Sequence, residues 1–217
     1  MPRPTNATPA GAGRRLDALT LLDWRRRVAA LYTEIRATAD AVAAHRMWQE
    51  VRNDLFAHHP DSPLSPDERA NFTGLSVADY DPAYRFVLEV DDEVAPKRIQ
   101  VETGTDGVVP FERAGRLHVP GVGDLDVWWL ATYGGGVFVP IRDGLAGSRT
   151  YGGGRYLIDT VKGADLGGDD AYLVVDLNFA YNPSCAYDPT WACPLAPAGN
   201  TVAAQIPVGE LDPAHQS

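Results

Sequence analysis

A strand that runs without a break into a proline-rich coil constrains this chain more than any other feature. Within residues 171–199, one face of the strand is apolar throughout, by the two-residue period of β-structure. The other face becomes polar as it approaches the coil. The polar side chains on that face and in the coil are the candidate ligand-binding residues: Asp176, Asn178, Tyr181, Asn182 and Cys185. The sequence therefore predicts a site where this strand ends.

Residues 14–59 have the apolar spacing of two helices, which indicates a helical hairpin. Thr20 followed by Asp23 has the spacing of a capping box at the start of the first helix, and Asp40 is the expected N-cap of the second. Residues 1–13 have no apolar periodicity, so we expect a disordered leader there. The rest of the chain, residues 14–217, is predicted to be a single domain.

Short strands separated by turns dominate residues 84–210. Turns are expected at Asp106–Gly107 and Ala114–Gly115, and the apolar run 125–131 should be covered on both faces. Because strands and helices do not alternate, the pattern predicts an α+β fold. We expect the N-terminal helical hairpin to be followed by a mostly antiparallel, curled β-sheet that forms a barrel or sandwich.

Charge and hydropathy exclude several classes of function. The chain has 29 acidic and 19 basic residues, a formal net charge of -10, and a surface of that sign repels nucleic acids and anionic lipids. No apolar run reaches the about 20 residues that cross a bilayer, and the N-terminus lacks the apolar core of a secretory signal. We therefore expect a cytoplasmic protein that binds neither nucleic acid nor membrane. The preference for arginine over lysine, together with abundant alanine and glycine, is typical of a GC-rich bacterial genome, so a bacterial origin is expected.

A Thr-Tyr-Gly-Gly-Gly segment occurs twice, at residues 132–136 and 150–154. A glycine-rich loop that cradles phosphate lies between a strand and a helix, whereas here an apolar strand follows each copy. Tight turns that let backbone segments pass closely are the favoured interpretation. No nucleotide or other cofactor is predicted.

Seven residues lie between the two cysteines, Cys185 and Cys193, which fits neither a CxxC redox motif nor paired zinc ligands. Reduced thiols are the first expectation, with Cys185 near the polar site and Cys193 packed, and a disulfide is the second. No metal site is predicted. Cys185 is the candidate nucleophile, and His118 is its hypothetical base.

Arg155 could join the polar residues of the coil if residues 155–161 and 172–178 form the two arms of a hairpin. It would then lie near Asn178 and on the same face as Asp176. Its guanidinium could bind an anionic ligand there. Alternatively, it only neutralises Asp176 inside the fold.

The chain resembles the bacterial and archaeal family of proteins of unknown function 1684. The resemblance rests mainly on the motif that runs from Asn178 to Tyr187, with Cys193-Pro194, Asn200 and Gly209-Glu210. It implies a fold and a set of signature residues, but no activity.

Two functions therefore stay open. The first is a small-molecule binding protein or an unassigned enzyme, with a pocket between the second triple glycine and the coil 178–193; an anion is among the candidate ligands. The alternative is a structural or interaction module without catalytic activity, in which the coil is rigid only for folding.

Overall fold

The N-terminal part of the computed structural model is helical, as the sequence predicts. The model describes residues 18–103, 107–191 and 193–213, so the predicted leader lies outside the described residues. The helices are α1 (Ala18–Ala37), α2 (Ala41–His58) and the short α3 (Pro66–Ala70). The predicted capping box at Thr20 is wrong: α1 already includes Ala18, because alanine and leucine before Thr20 are good helix formers.

The other two helix starts are capped as the sequence predicts, at Asp40 and at Ser65, which with Pro66 and Glu68 has the spacing of a capping box. The Asp40 carboxylate accepts hydrogen bonds from the backbone N–H groups of Val42 and Ala43. Ser65 and Glu68 form a reciprocal capping box at α3. Each cap satisfies N–H groups that the first helical turn leaves without a partner.

Loss of the Asp40 cap should have a small, measurable effect. Replacing Asp40 with alanine is expected to lower the free energy of unfolding by about 1 kcal/mol, because two N–H groups at the start of α2 lose their acceptor. Asp40→Asn, which keeps an acceptor oxygen, is the matched control and should cost less. Urea denaturation of the three proteins measures the difference.

Seven strands follow the helices. They are β1 (Arg85–Glu89), β2 (Arg98–Thr103), β3 (Gly107–Val119), β4 (Gly123–Leu130), β5 (Val137–Ile141), β6 (Arg155–Asp159) and β7 (Tyr172–Asp176). Strands β2 to β6 form one antiparallel sheet in chain order, and β1 pairs with β7 in a separate two-stranded sheet. The fold is therefore α+β with antiparallel sheets.

Three details differ from the sequence-based expectations. The larger sheet is open, because its end strands β2 and β6 do not pair with each other among the described residues. Ala114 and Gly115 lie at a bulge inside β3 rather than in a turn. Gly115 is required there, since a Cβ would lie 2.4 Å from a methyl group of Val90. Trp128 is buried, but Trp129 is partly exposed, so the run is not covered on both faces throughout.

Both faces of the larger sheet carry apolar cores. One face packs aromatic residues, including Phe138 and Tyr156, against the residues of α1 and α2. The opposite face packs residues such as Val139 and Leu157 against the two-stranded sheet. Hence the larger sheet lies between the helices and the β1–β7 pair.

Candidate functional site

Arg155 is fully buried, but the predicted hairpin around it is wrong. It lies at the start of β6 opposite Ile141 of β5, while Asp176 pairs with Arg85 of β1. The hairpin fails because the segment after β6 turns through a 3-10 helix, Thr160–Lys162, and β7 joins the other sheet. Arg155 therefore contacts neither Asp176 nor Asn178 by hydrogen bonding.

The guanidinium of Arg155 instead ties the C-terminal segment to the sheet. One terminal nitrogen donates to the carbonyls of Val208 and Glu210, at 2.5 and 3.0 Å. The other donates to the carboxylate of Asp143 at 2.9 Å and to the carbonyl of Ile206 at 3.0 Å. Burial lowers the pKa of Arg155, and the charge of Asp143 opposes that shift. All these partners are internal, which supports the structural role for this arginine.

Asp176 and Asn178 form a second internal network. The Asp176 carboxylate accepts hydrogen bonds from the Tyr80 hydroxyl and from the backbone and side-chain N–H groups of Asn178. The Asn178 amide also exchanges two hydrogen bonds with the backbone of Asp81, and His45 donates to the Asn178 carbonyl. Burial raises the pKa of Asp176. These contacts fasten the end of β7 to the loop before β1.

The coil after this network is anchored to α2 by Glu210. The fully buried carboxylate of Glu210 accepts from Nε of Arg52 at 2.5 Å and from the backbone N–H of Asn182 at 2.7 Å. The hydroxyl of Tyr187 also donates to it, at 3.2 Å. Arg52 lies over the ring of Tyr181, 4.9 Å from its centroid. One carboxylate thus joins the helical hairpin, the coil and the C-terminal segment.

A cleft of about 60 Å³ opens beside this anchor, between the helical hairpin and the coil. Aromatic and polar side chains line it, among them Tyr32 and Arg52 of the helices, Lys162 after β6, and Tyr181 and Asn182 of the coil. The cleft therefore lies on the helix side of the coil. The sequence-based expectation was a pocket between the second triple glycine and the coil, and this cleft lies elsewhere.

Two of the residues that line the cleft each have a buried polar atom without a hydrogen-bond partner among the described residues. These atoms are the hydroxyl of Tyr32 and the side-chain oxygen of Asn182. The Trp48 indole N–H approaches the Tyr32 hydroxyl, but without the geometry of a hydrogen bond. Burial raises the pKa of Tyr32 to about 12, so its hydroxyl is neutral near pH 7. Unpaired buried polar groups are costly, and they are often found at binding sites.

Lys162 supplies a second cation at the cleft. Its ammonium lies 3.4 Å from the Asp159 carboxylate, and 46% of its side-chain surface is exposed. Burial lowers the pKa of Lys162, but the charges of Asp159 and Cys193 more than offset this effect and raise it. Lys162 is therefore charged at neutral pH and reachable from solvent.

The two cysteines of the coil do not form a disulfide, and each is half-buried. The Tyr151 hydroxyl lies 3.7 Å from the sulfur of Cys185. The hypothetical pairing of Cys185 with His118 is wrong, because both ring nitrogens of His118 contact carboxylates, those of Asp124 and Asp91. His118 lies on β3, and these two partners come from β4 and from the segment after β1 rather than from the coil.

Comparison with known proteins assigns the chain to a family. Residues 70–211 match the family model described as a protein of unknown function, DUF1684. The chain belongs to this family. The chain is similar to the solution NMR structure of an uncharacterized protein from Haloarcula marismortui. The two sequences are 31% identical, the TM-score is 0.54, and the match covers 75% of this chain and 89% of that chain. No curated protein has significant similarity to the chain.

The DUF1684 match covers only some of the residues that line the cleft. It includes Lys162, Tyr181 and Asn182 as well as both cysteines, whereas Tyr32 and Arg52 precede the matched region. Sequence reasoning missed both of these helical residues. A signal did exist for Arg52: it follows the buried Trp48 by four residues and therefore lies on the apolar stripe of α2, where an unpaired charge is costly.

Other features of the described residues carry less chemistry. A shallow depression of about 390 Å³ lies between Arg116, Asp124 and residues 198–203, and none of the predicted site residues lines it. Within the described ranges, no three metal-binding side chains converge on one point. None of the described helices has the length and apolar character needed to cross a bilayer.

Proposed function

We propose that this DUF1684 protein binds a small organic anion in the cleft between the helical hairpin and the coil. The observation that carries the proposal is the unpaired pair of buried polar atoms, the Tyr32 hydroxyl and the Asn182 oxygen, beside two cations. A carboxylate would accept from the hydroxyl and from Lys162, and a neighbouring O–H or N–H of the ligand would donate to Asn182.

The size of the cleft indicates how such a ligand binds. A volume of about 60 Å³ holds roughly four non-hydrogen atoms or water molecules, which is the size of a carboxylate head group. Trp24 and Val28 on one side and Pro183 on the other form apolar walls. We therefore place the head group inside and the remaining part of the ligand at the opening, against these walls.

Tyr32→Phe separates ligand binding from folding. In the free protein this change should leave the free energy of unfolding unchanged or raise it by about 1 kcal/mol, because it removes a buried hydroxyl without a partner. With a bound carboxylate the same change removes a hydrogen-bond donor and should weaken binding about tenfold. Thermal unfolding with acetate, benzoate and other small carboxylates as probes measures both effects.

A carboxylate at a hundred times its dissociation constant should stabilise the protein by about 2.7 kcal/mol. For a chain of this length, that is a rise in melting temperature of roughly 5–10 °C. Tyr133→Phe is the matched control, since Tyr133 is fully exposed and distant in sequence from the cleft. A rise that persists undiminished in Tyr32→Phe would contradict the assigned site, and no rise with any carboxylate would contradict the function.

The alternative, a structural or interaction module, is favoured by the internal networks. Arg155, Asp176 and Asn178 were candidate ligand-binding residues, and each now has several internal partners. They support the fold whether or not a ligand binds. The carboxylate screen decides between the two functions, because a module without a ligand gives no rise in melting temperature.

A further inference from the structure

Strand β2 is an open edge of the larger sheet in the part of the chain that the structure describes. It pairs with β3 on one side, and no described segment pairs with it on the other. The outward N–H and C=O groups of such an edge form a template to which another strand can be added. Proline and β-bulges often protect exposed edges, but β2 contains no proline and its pairing with β3 shows no bulge. The edge is therefore available to a partner.

The ladder between β2 and β3 shows which backbone groups of β2 face outward. The Arg113 N–H donates to the Lys97 carbonyl at 2.8 Å, and the bonds to β3 recur at every second residue from Lys97 onward. Gln100 lies opposite Pro110, which has no N–H and whose carbonyl accepts from the Ala131 N–H on the other side of β3. The residues whose N–H and C=O groups point away from β3 are therefore Arg98, Gln100 and Glu102.

The side chains of β2 are arranged symmetrically about Gln100. One residue away on either side, Ile99 and Val101 are half-buried and pack against the aromatic core next to the helices. Two residues away, Arg98 and Glu102 are exposed on the opposite face and have opposite charges. Directly opposed residues of antiparallel strands have their side chains on the same face. A two-fold axis at Gln100 would therefore place Arg98 of each copy beside Glu102 of the other, and Ile99 beside Val101.

Other two-fold registers suit the strand less well. An axis at Arg98 or at Glu102 would place two like charges opposite each other, which is destabilising. An axis at Ile99 or at Val101 would place Gln100, rather than the opposite charge, across from one of the two charged residues. The axis at Gln100 matches both charges, and its pairs of outward-facing residues would form about six backbone hydrogen bonds.

We propose that this protein forms a homodimer in which two β2 strands pair antiparallel about Gln100 and join the larger sheets of both copies into one. A two-fold contact uses the same surface of both copies, so that surface must complement itself, and the charges of Arg98 and Glu102 do so. Arg98 is 62% exposed and lies 3.6 Å from Glu112, a weak contact that leaves its guanidinium open to a second carboxylate. None of the residues that line the cleft lies on β2, so the dimer does not depend on the anion site.

The interface is short, so we expect a weak dimer. Pairing over about five residues spans about 17 Å, less than most stable interfaces require, and indicates a dissociation constant of about 0.1 mM. Sedimentation velocity of the full chain from about 5 µM to about 1 mM should show the average mass rising from that of one chain towards that of two. Near the lower limit the protein should be monomeric, so that unfolding experiments there measure the single chain. A mass that stays at one chain throughout this range would overturn the dimer.

Charge reversal tests the register. In Arg98→Glu, like charges lie opposite each other at both ends of the strand pair, and the same is true of Glu102→Arg; each change should weaken dimerisation at least about tenfold. Arg26→Glu is the matched control, because it reverses an exposed charge on α1, and it should leave dimerisation unchanged. Equal weakening by the control would contradict an interface at β2.

A mixture of the two charge-reversal variants gives the most specific readout. When Arg98→Glu and Glu102→Arg are combined in equal amounts, every glutamate at these positions in one copy faces an arginine of the other. The mixture should therefore associate with a dissociation constant within about threefold of the native value, although neither variant does so alone. A mixture that stays monomeric would overturn the register centred on Gln100.

A proline at the centre of the strand tests the backbone pairing. Gln100→Pro removes an N–H that faces solvent in the single chain, so its circular dichroism spectrum at about 5 µM should match that of the native protein. In the dimer it removes both central hydrogen bonds, and association should no longer be detected up to about 1 mM. Gln100→Thr keeps the N–H and should associate like the native chain.

A dimer that persists undiminished in Gln100→Pro would show that the two copies meet elsewhere and would overturn the proposal. The charge reversals test the same register without altering the backbone. Stabilisation by carboxylates should be the same in Gln100→Pro as in the native protein, because the cleft is not part of the interface. Failure of the dimer therefore leaves the anion site standing, and failure of the anion site leaves the dimer standing.

Discussion

Replacing Arg155 with alanine is expected to lower the free energy of unfolding by about 3–5 kcal/mol, the cost of breaking a buried ion pair by removing one partner. The side chain is fully buried, and its two terminal nitrogens make four hydrogen bonds. Its loss leaves the buried Asp143 carboxylate without its cation and three carbonyls of the C-terminal segment without a donor. The melting temperature should fall by roughly 6–20 °C.

Two variants make this result specific. Arg98→Ala is the matched surface control, because Arg98 is 62% exposed and lies 3.6 Å from Glu112; it should cost less than about 1 kcal/mol. Arg155→Lys keeps the charge but not the planar fork, so it should fall between the two. If Arg155→Ala costs no more than Arg98→Ala in urea denaturation, the four hydrogen bonds do not stabilise the fold as we infer.

The burial of Arg155 could be predicted from the sequence, but its partners could not. A glycine turn before it and an apolar strand after it indicate a buried position. Its partner Asp143 lies in the connection between β5 and β6, and the accepting carbonyls lie about fifty residues further along the chain. The tertiary packing of these non-strand segments decides such contacts, and local periodicity contains no information about it.

Local features of the chain were predicted more reliably. The caps at Asp40 and Ser65 depend on residues within one helical turn, and both are confirmed. The bulge at Gly115 shows where local reasoning fails. Glycine after alanine is typical of a turn, but here it is required by the close approach of Val90 from another part of the chain.

The residues of the candidate site were likewise predicted only in part. The coil supplies Tyr181 and Asn182 to the cleft, as its polar residues indicated. Lys162 is distant in sequence from the coil, and Tyr32 lies within a helix whose apolar stripe predicted only packing. The resemblance to DUF1684 could not indicate Tyr32 either, because the family match begins after the helical hairpin.

The second large effect is expected at Glu210, the carboxylate that joins α2 to the coil. Glu210→Ala should lower the free energy of unfolding by about 3–5 kcal/mol, since it leaves the buried Arg52 guanidinium unpaired and removes the acceptor of the Asn182 backbone N–H. Tyr187→Phe is a milder matched change. It removes one of the three hydrogen bonds to Glu210 and should cost about 1.5–3 kcal/mol.

A double-mutant cycle identifies the ion pair as the source of the Glu210 effect. Arg52→Met removes the guanidinium and keeps much of its apolar contact with the rings of Trp48 and Tyr181. Without Arg52, the loss of Glu210 leaves no buried charge unpaired. The double variant should therefore lose about 1–3 kcal/mol less free energy of unfolding than the sum of the two single losses. Energies that add within about 0.5 kcal/mol would show that the carboxylate stabilises the protein through the coil alone. The helical hairpin would then be held against the coil by apolar packing, and the position of Arg52 at the cleft would not depend on Glu210.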